Sequence, residues 1–180
     1  MSILNEEEIK YETIIDVAKK MMIAARTAPK ARGIDHLKIM MAESETIAII
    51  SQKMKEIGRE INSPTFLRDA ENITQSTALI LIGTEIKTIG LRKCGHCGFA
   101  NCEAKEKHAD IPCAFNTGDL GIAIGSAVSI AMDNRIDNRI MYTVGIAVKE
   151  LELMGKETKI IYGIPLSATS KNPFFDRKHF

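Results

Sequence analysis

"LGIAIGSAVSIAM", residues 120–132, is the longest apolar stretch of the chain. It is too short to span a bilayer, because a membrane helix needs about 20 apolar residues. The stretch predicts instead a helix, capped at Thr117 or Asp119, that is apolar on nearly all of its faces. Such a helix is buried within a domain or between subunits, and Gly121 and Gly125 would let another helix approach it closely.

Helix and strand patterns alternate on both sides of this stretch, without a strict strand–helix–strand repeat. Asn5, followed by three glutamates, predicts a helix start, and helical spacing predicts a second helix over residues 44–61. Three apolar segments have the length and composition of strands: residues 36–42, 77–83 and 158–167. This order predicts an α+β fold or a mixed α/β sheet, and the length of the chain predicts a single domain over residues 1–180.

Composition and charge restrict the function classes. The chain has 45% hydrophobic and 26% charged residues, as ordinary globular proteins do. Its 24 basic and 23 acidic residues leave a net charge of +1, so we expect no nucleic-acid partner. The N-terminal segment is acidic where a signal peptide would be basic and then apolar. We therefore expect a cytoplasmic protein with no membrane partner.

All four cysteines of the chain lie in one window, residues 93–113. They are Cys94, Cys97, Cys102 and Cys113, with the spacing C-x2-C-x4-C-x10-C. In a reducing compartment, clustered cysteines are more often metal ligands than disulfides. We therefore predict that this window is a loop in which four thiolates hold a metal.

The spacing favours one metal without excluding another. Zinc ribbons usually carry two C-x2-C pairs, whereas three close cysteines and a distant fourth are commoner for a [4Fe–4S] cluster. Gly95 and Gly98 each follow a cysteine, and their tight turns would let N–H groups point at sulfur. Zinc is the alternative metal, with Cys113 or His108 as its fourth ligand. Free or catalytic thiols, with no metal bound, are the other alternative. We expect the charged residues 103–110 to form a solvated loop face.

Four stretches carry a resemblance to a known family. They are "AARTAPKARGID", "CGHCGFANCEAK", "PCAFNTGDLGIAIGSAVSIAMDNRIDNRIMYTVG" and "GIPLSATSKNPFFDRK". In these stretches the chain resembles the ferredoxin-domain-containing proteins of anaerobic archaea and bacteria, which are distantly similar to the FMN-dependent nitroreductases. The resemblance implies a nitroreductase-like α+β fold, with a mainly antiparallel sheet packed between helices and the cysteine-rich loop inserted. It also implies an intertwined homodimer with the long apolar helix at its interface.

FMN is the second cofactor that the resemblance implies. Nitroreductases carry an early arginine-rich segment, whereas this chain has no arginine before Arg26. Their Ala-Pro-Ser-Ala-x-Asn stretch is matched here by residues 28–33, with Lys30 for the serine and Gly33 for the asparagine. A phosphate is held by charge-assisted contacts to lysine and arginine. The predicted contacts to the flavin are therefore Arg26, Lys30, Arg32, Lys171 and Arg177, the last two from the tail of the dimer partner.

Two functions are compatible with these features. The first is an iron–sulfur oxidoreductase or electron-transfer protein, with FMN converting single electrons into pairs and with an electron-carrier protein or a small molecule as its partner. The second is a non-catalytic protein, structural or sensory, whose cysteines hold zinc or a cluster on the same scaffold. The sequence contains no motif typical of hydrolases or nucleotide-binding proteins, and it identifies no catalytic residue.

Overall fold

An antiparallel sheet of four strands lies at the centre of the computed structural model, which describes residues 3–175. The strands follow the order β1-β2-β4-β3 across the sheet, and every neighbouring pair is antiparallel. Their bounds are β1 Leu37–Ala42, β2 Ala78–Glu85, β3 Asp137–Asn138 and β4 Thr158–Ser167. The long strands β2 and β4 are therefore central, and β1 and the short β3 form the edges.

Six α-helices and one 3-10 turn connect the strands within residues 3–175. Their bounds are α1 Glu6–Thr27, the 3-10 turn Ala31–Gly33, α2 Ser44–Glu60, α3 Pro64–Ile73, α4 Cys102–Glu106, α5 Ala114–Asp133 and α6 Tyr142–Glu150. The side chain of Asn5 accepts the N–H of Glu7 and caps α1, as predicted. No helix in this part of the chain has the length and apolarity to cross a membrane.

The side chains of β2 alternate between two apolar layers. Ala78, Ile80 and Ile82 pack with α1 and α5 on one face of the sheet. Leu79 and Leu81 pack with α2, α3 and α6 on the other face. Successive side chains of a strand point to opposite faces, so a strand that is apolar throughout requires cover on both. The predicted α+β fold, with an antiparallel sheet between helices, is confirmed.

The apolar helix α5 is longer than predicted, and it is not buried on all faces. It begins at Ala114, with Cys113 as its N-cap, rather than at Thr117 or Asp119. Leu120 and the other buried small or apolar residues on the same face of α5 pack against α1 and the sheet. On the opposite face, Ile122 is exposed, and a Cβ added at its glycine neighbours would meet nothing within 4 Å.

Candidate metal centre and adjoining cavity

The four cysteines line one cavity, to which three parts of the chain contribute. Cys94 and Cys97 come from the loop after β2, Cys102 is the first residue of α4, and Cys113 caps α5. Cys113 is buried, and the other three are partly exposed. Residues that lie up to 19 positions apart in the sequence therefore meet around one space, as the metal-site hypothesis requires.

Local sequence explains the course of the cysteine loop. Gly98 has a φ of +86°, and its N–H donates to the carbonyl oxygen of Gly95 at 2.9 Å. This left-handed conformation favours glycine, and it closes the turn that carries Cys97. The side chain of Asn101 accepts the N–H of Ala104 at 2.8 Å and so starts α4 at Cys102.

The segment that follows β2 forms hydrogen bonds with both helices of the site, α4 and α5. The hydroxyl of Thr88 donates to the carboxylate of Glu106 on α4 at 2.6 Å. The backbone N–H of Lys87 donates to the side-chain oxygen of Asn116 on α5 at 3.0 Å. These contacts fix the two helices that supply Cys102 and Cys113 relative to the same strand end.

The donor atoms of the described residues do not converge on one point. Within residues 3–175, no three histidine, cysteine or acidic side chains form a group that could hold a single metal ion. The thiol of Cys102 donates to the carbonyl oxygen of Leu91 at 3.7 Å. His108, the alternative ligand, stacks on Phe99 with ring centroids 5.0 Å apart. Cys113, and not His108, lines the cavity.

Lys105 was missed by the sequence analysis. It lies within residues 103–110, which we expected to be a solvated loop face, but only 3% of it is exposed, and it lines the cysteine cavity. The reason is that α4 forms there, and residues three apart lie on the same side of a helix. The spacing of Lys105 from Cys102 was the available signal, but it required knowledge of the helix.

A second cavity, of about 480 Å³, adjoins the first. The two share Ala114 and Phe115 in their linings. Residues 29–31 contribute to the second lining, as do His96 of the cysteine loop and one face of α5. The cysteine loop therefore lies beside the segment for which the flavin contacts were predicted.

The segment of residues 28–33 is bound to α5 and to the start of the cysteine loop. The carboxylate of Asp119 accepts the N–H of Ala31 at 3.1 and 3.2 Å. The guanidinium of Arg32 donates to the carbonyl oxygens of Ile89 and Gly90 at 2.9 and 3.1 Å. Asp119 therefore lies inside the helix that it was predicted to cap, and it positions the loop instead.

Arg26 forms an ion pair within the chain. Its guanidinium lies 2.6 Å from the carboxylate of Asp35 and donates to the carbonyl oxygen of Leu37 at 3.2 Å. Partial burial raises the pKa of Asp35, but the hydrogen bonds from Arg26 and from the backbone, with the nearby positive charges, lower it more. The pKa of Asp35 consequently lies below the ordinary value of an aspartate.

Lys30 caps the C-terminal end of α1. Its ammonium group donates to the carbonyl oxygens of Ala25, Arg26 and Ala28 at 3.2, 2.6 and 2.7 Å. These are carbonyls at the end of a helix, where a positive charge is favoured by the helix dipole. Lys30 also lines the second cavity.

The predicted flavin contacts are only partly brought together. Arg26, Lys30 and Arg32 lie on the same segment, and each donates to groups of the chain itself. Lys171 lies in the C-terminal segment, near Phe174, which is buried against α2, α3 and α6. Arg177 lies outside the described residues.

Comparison with known proteins identifies the family. Residues 109–177 match the family described as uncharacterised proteins containing a ferredoxin domain (DUF2148). A protein of Archaeoglobus fulgidus, described as uncharacterised, is 41% identical over 184 residues, and the match covers 97% of each chain. The chain belongs to this ferredoxin-domain family. The resemblance seen in the sequence is thereby confirmed.

The fold of this ferredoxin-domain protein is similar to that of nitroreductases. An FMN-bound nitroreductase of Desulfitobacterium hafniense matches with a TM-score of 0.59 and 11% identity, over 95% of this chain and 94% of that one. The nitroreductase CinD of Lactococcus lactis, solved with nicotinic acid, matches with a TM-score of 0.59 and 12% identity, over 99% of this chain and 85% of that one. At these identities the likeness shows the fold alone, and it confirms the predicted nitroreductase-like architecture.

Proposed function

We propose that this protein is an iron–sulfur oxidoreductase or electron-transfer protein in which Cys94, Cys97, Cys102 and Cys113 hold a [4Fe–4S] cluster. The observation that carries the proposal is the single cavity that all four cysteines line. The cavity is about 10 Å³ in volume, so the cysteine loop would have to open to admit the core of a cluster, which is larger than a single ion. When bound, such a group supplies one-electron transfer. Membership of a ferredoxin-domain family supports the same chemistry.

The elements around the cavity favour negatively charged ligands. Cys113 caps α5, a helix of 20 residues, and the positive end of the helix dipole stabilises an anionic group there. Zinc is the alternative metal for four thiolates. Its bonds to sulfur are about 2.3 Å, which would require the four sulfur atoms to approach within about 4 Å of one another.

An absorption spectrum of anaerobically purified protein tests the proposal. A cluster gives a broad brown absorption, a flavin gives two resolved bands in the near-ultraviolet and blue, and zinc gives neither. We expect the brown absorption. A protein that carries zinc and remains colourless after treatment with iron and sulfide would contradict the proposal.

FMN is the proposed second cofactor, in the cavity beside the cysteine loop. The proposal is supported by Ala114 and Phe115, which line both cavities. It is also supported by the FMN in a nitroreductase of the same fold. A flavin exchanges electrons in pairs, so the two sites together would join one-electron and two-electron chemistry.

The proposed phosphate contacts are Arg26, Lys30 and Arg32, with Lys171 and Arg177 from a partner subunit. Lys30 is the most direct test, because it already lines the cavity. Lys30→Ala should weaken FMN binding about tenfold, since a charge-assisted contact to the phosphate is lost. The matched control is Lys20→Ala, which removes an exposed lysine of the preceding helix.

Quenching of flavin fluorescence on anaerobic titration measures this binding. No saturable quenching by the wild-type protein would end the FMN proposal. Equal affinities of the wild type and Lys30→Ala would keep FMN but remove its phosphate from Lys30. The electron donor or acceptor would be a carrier protein or a small molecule in the cytoplasm.

We also propose a homodimer formed through the outward face of α5. Gly121 and Gly125 leave open space there, and Ile122 is exposed beside them. Small residues let two helices approach closely, and burying an isoleucine on both sides of a two-fold axis stabilises the contact twice. Ile122 also lines the second cavity, so a partner on this face would lie beside the proposed flavin site.

One observation favours the non-catalytic alternative. The side chains of Arg26, Lys30 and Arg32 already donate to groups within the chain, and a phosphate would have to compete with them. A structural or sensory protein needs the cysteine site alone. A spectrum with metal absorption and no flavin bands, unchanged on addition of FMN, would favour this function.

A further inference from the structure

We infer that His96 binds the ring of the flavin, at the end of the second cavity that lies nearest the cysteines, and that the phosphate lies at the other end, beside Lys30. The inference rests on the proposed function, because it concerns the FMN that we place in this cavity. It adds the direction in which the cofactor lies and a contact residue outside the predicted set of lysines and arginines.

The first observation is that the cavity follows one face of α5. Phe115, Gly118, Asp119 and Ile122 line it, with the spacing of residues that share a helix face. At a rise of about 1.5 Å per residue, this face is about 10 Å long. The volume of about 480 Å³ is in the usual range for a site that takes a small molecule or a cofactor. The cavity is therefore long enough to have two distinct ends.

The second observation is that different segments lie at the two ends. The ring of His96 lies against Phe115, in the first turn of α5, with ring centroids 5.9 Å apart and a tilt of 53°. The segment of residues 29–31 lies about one turn further along, where a backbone N–H donates to the carboxylate of Asp119 at 3.1 Å. Phe115 also lines the cysteine cavity, whereas residues 29–31 do not. The His96 end is therefore the one nearest the cysteines.

The third observation is that His96 has its hydrogen-bonding atoms free. The other polar side chains of the lining are engaged, since Lys30 donates to three backbone carbonyls and Asp119 accepts a backbone N–H. Within residues 3–175, the imidazole of His96 contacts the ring of Phe115 and forms no hydrogen bond. An engaged lysine still attracts a phosphate through its charge, whereas the polar edge of an uncharged ring needs a free donor or acceptor.

The chemistry of the two ends matches the two ends of FMN. Beside His96, the lining is formed by Ala114 and Phe115, which are apolar. An aromatic side chain in such a lining suits a planar ring, which packs against it by stacking or by its edge. At the other end, Lys30 and the neighbouring arginines supply positive charge. This direction brings the ring, and not the phosphate, next to the cysteines, where electrons would be exchanged.

The test compares two ligands that differ only in the phosphate, FMN and riboflavin. His96→Phe keeps a ring against Phe115 and removes the hydrogen-bonding atoms, whereas His96→Gln keeps a donor and an acceptor. The matched control is His108→Phe, on an exposed histidine of the same loop that stacks on Phe99. Each protein is loaded with the metal that the wild type binds, its metal content is measured, and both flavins are titrated anaerobically by fluorescence quenching. If His96→Phe does not fold or load metal, His96→Leu replaces it.

We expect His96→Phe to weaken the binding of FMN and of riboflavin alike, by about fivefold, because one hydrogen bond is lost. His96→Gln should lie closer to the wild type, and His108→Phe should match the wild type. Lys30→Ala should weaken FMN binding about tenfold and leave riboflavin binding unchanged, because riboflavin has no phosphate. The recovery in His96→Gln is a result that packing alone would not produce, since glutamine has no ring.

Equal flavin affinities of the wild type and His96→Phe would overturn the inference and leave the FMN proposal intact. Equal losses in His96→Phe and His96→Gln would overturn it too, because the hydrogen bond would not be what matters. A loss in His96→Phe that is confined to FMN would overturn it by putting the phosphate, and not the ring, at His96. Loss of metal from every His96 variant would overturn it by showing that His96 serves the cysteine loop. A wild type that binds neither flavin would overturn both proposals.

Discussion

At the scale of single residues, the loop of residues 28–33 is positioned by side chains that bind backbone groups. Asp119 accepts the N–H of Ala31, and Lys30 donates to the last carbonyls of α1. Arg32, whose φ is +57°, reaches the carbonyls that precede the cysteine loop. The segments that line the two adjoining cavities are therefore held together by hydrogen bonds between distant parts of the chain, and not only by apolar packing.

Asp35 gives the stability of this region a dependence on pH. The pKa of its carboxyl is lowered in the folded protein, so its contribution is present above the unfolded pKa of about 3.9 and is lost as the pH falls through the folded pKa. At pH 7, Asp35→Asn should lower the free energy of unfolding by about 0.5–1 kcal/mol, because the pair with Arg26 is partly exposed.

Urea unfolding at pH 7 and at about pH 3 measures this contribution. The difference between the wild type and Asp35→Asn should shrink in acid. A difference that is as large in acid as at neutral pH would show that the ion pair is not its source. Asp16→Asn, on the exposed face of α1, is the control, and it should change the stability little at either pH.

The site residues differ in how far the sequence alone could predict them. The cysteines were predictable because thiol chemistry and spacing are local properties of the chain. Lys105 and Asp119 were not, because their surroundings depend on contacts that appear only when α4 and α5 have formed. Asp119 contacts a residue 88 positions away, and no local pattern indicates such a pair.

At the scale of the elements, α6 and β4 approach so closely that neither Gly145 nor Gly163 has room for a side chain. A Cβ added at Gly145 would overlap the carbonyl oxygen of Ile161. A Cβ at Gly163 of β4 would overlap the side chain of Val144. The two glycines therefore set the distance between this helix and the sheet.

Gly145→Ala tests how close this contact is. Helix propensity alone would make alanine more stable by about 1 kcal/mol, whereas overpacking against a backbone carbonyl costs about 1–3 kcal/mol or more. We expect the clash to dominate and the free energy of unfolding to fall by at least about 2 kcal/mol. Lys149→Ala, on the exposed side of the same helix, should have an effect below about 0.5 kcal/mol. A Gly145→Ala protein as stable as the wild type would contradict the close approach.

The start of α5 shows why element boundaries are harder to predict than elements. Thr117 and Asp119 are favoured cap residues, so a helix start was expected there. The helix begins at Ala114, because the backbone of Cys113 is extended and its carbonyl accepts the N–H of Asn116. The extra turn includes Ala114 and Phe115, the residues shared by the two cavities.

At the scale of the whole molecule, α5 has one face in the core and one face towards solvent. The alternation of helix and strand patterns was enough to predict a fold of mixed helices and strands, whereas the antiparallel sheet between helices was implied by the resemblance to nitroreductases. The sequence could not show which side of a uniformly apolar helix is covered, because periodicity carries that information and α5 has little of it. The exposed side is where we propose that a second subunit binds.

Ile122→Glu tests the proposed dimer. A buried carboxylate at a two-fold contact lacks a partner and faces its own copy, so the variant should dissociate to monomers. Ile49→Glu is a closely matched control, since Ile49 and Ile122 are both 49% exposed but Ile49 lies on α2, on the opposite side of the sheet. Light scattering at micromolar concentration gives the masses. A monomeric wild type, or a dimer that Ile122→Glu leaves intact, would contradict this interface.

The measurement that tests the central claim most directly is the content of iron, acid-labile sulfide and zinc per chain after anaerobic reconstitution. The account predicts about four iron and four sulfide per chain in the wild type. It predicts their loss in Cys97→Ser and their retention in His108→Ala, since Cys97 lines the cavity and His108 stacks on Phe99. Stoichiometric zinc without uptake of iron, or a full iron content in Cys97→Ser, would contradict it.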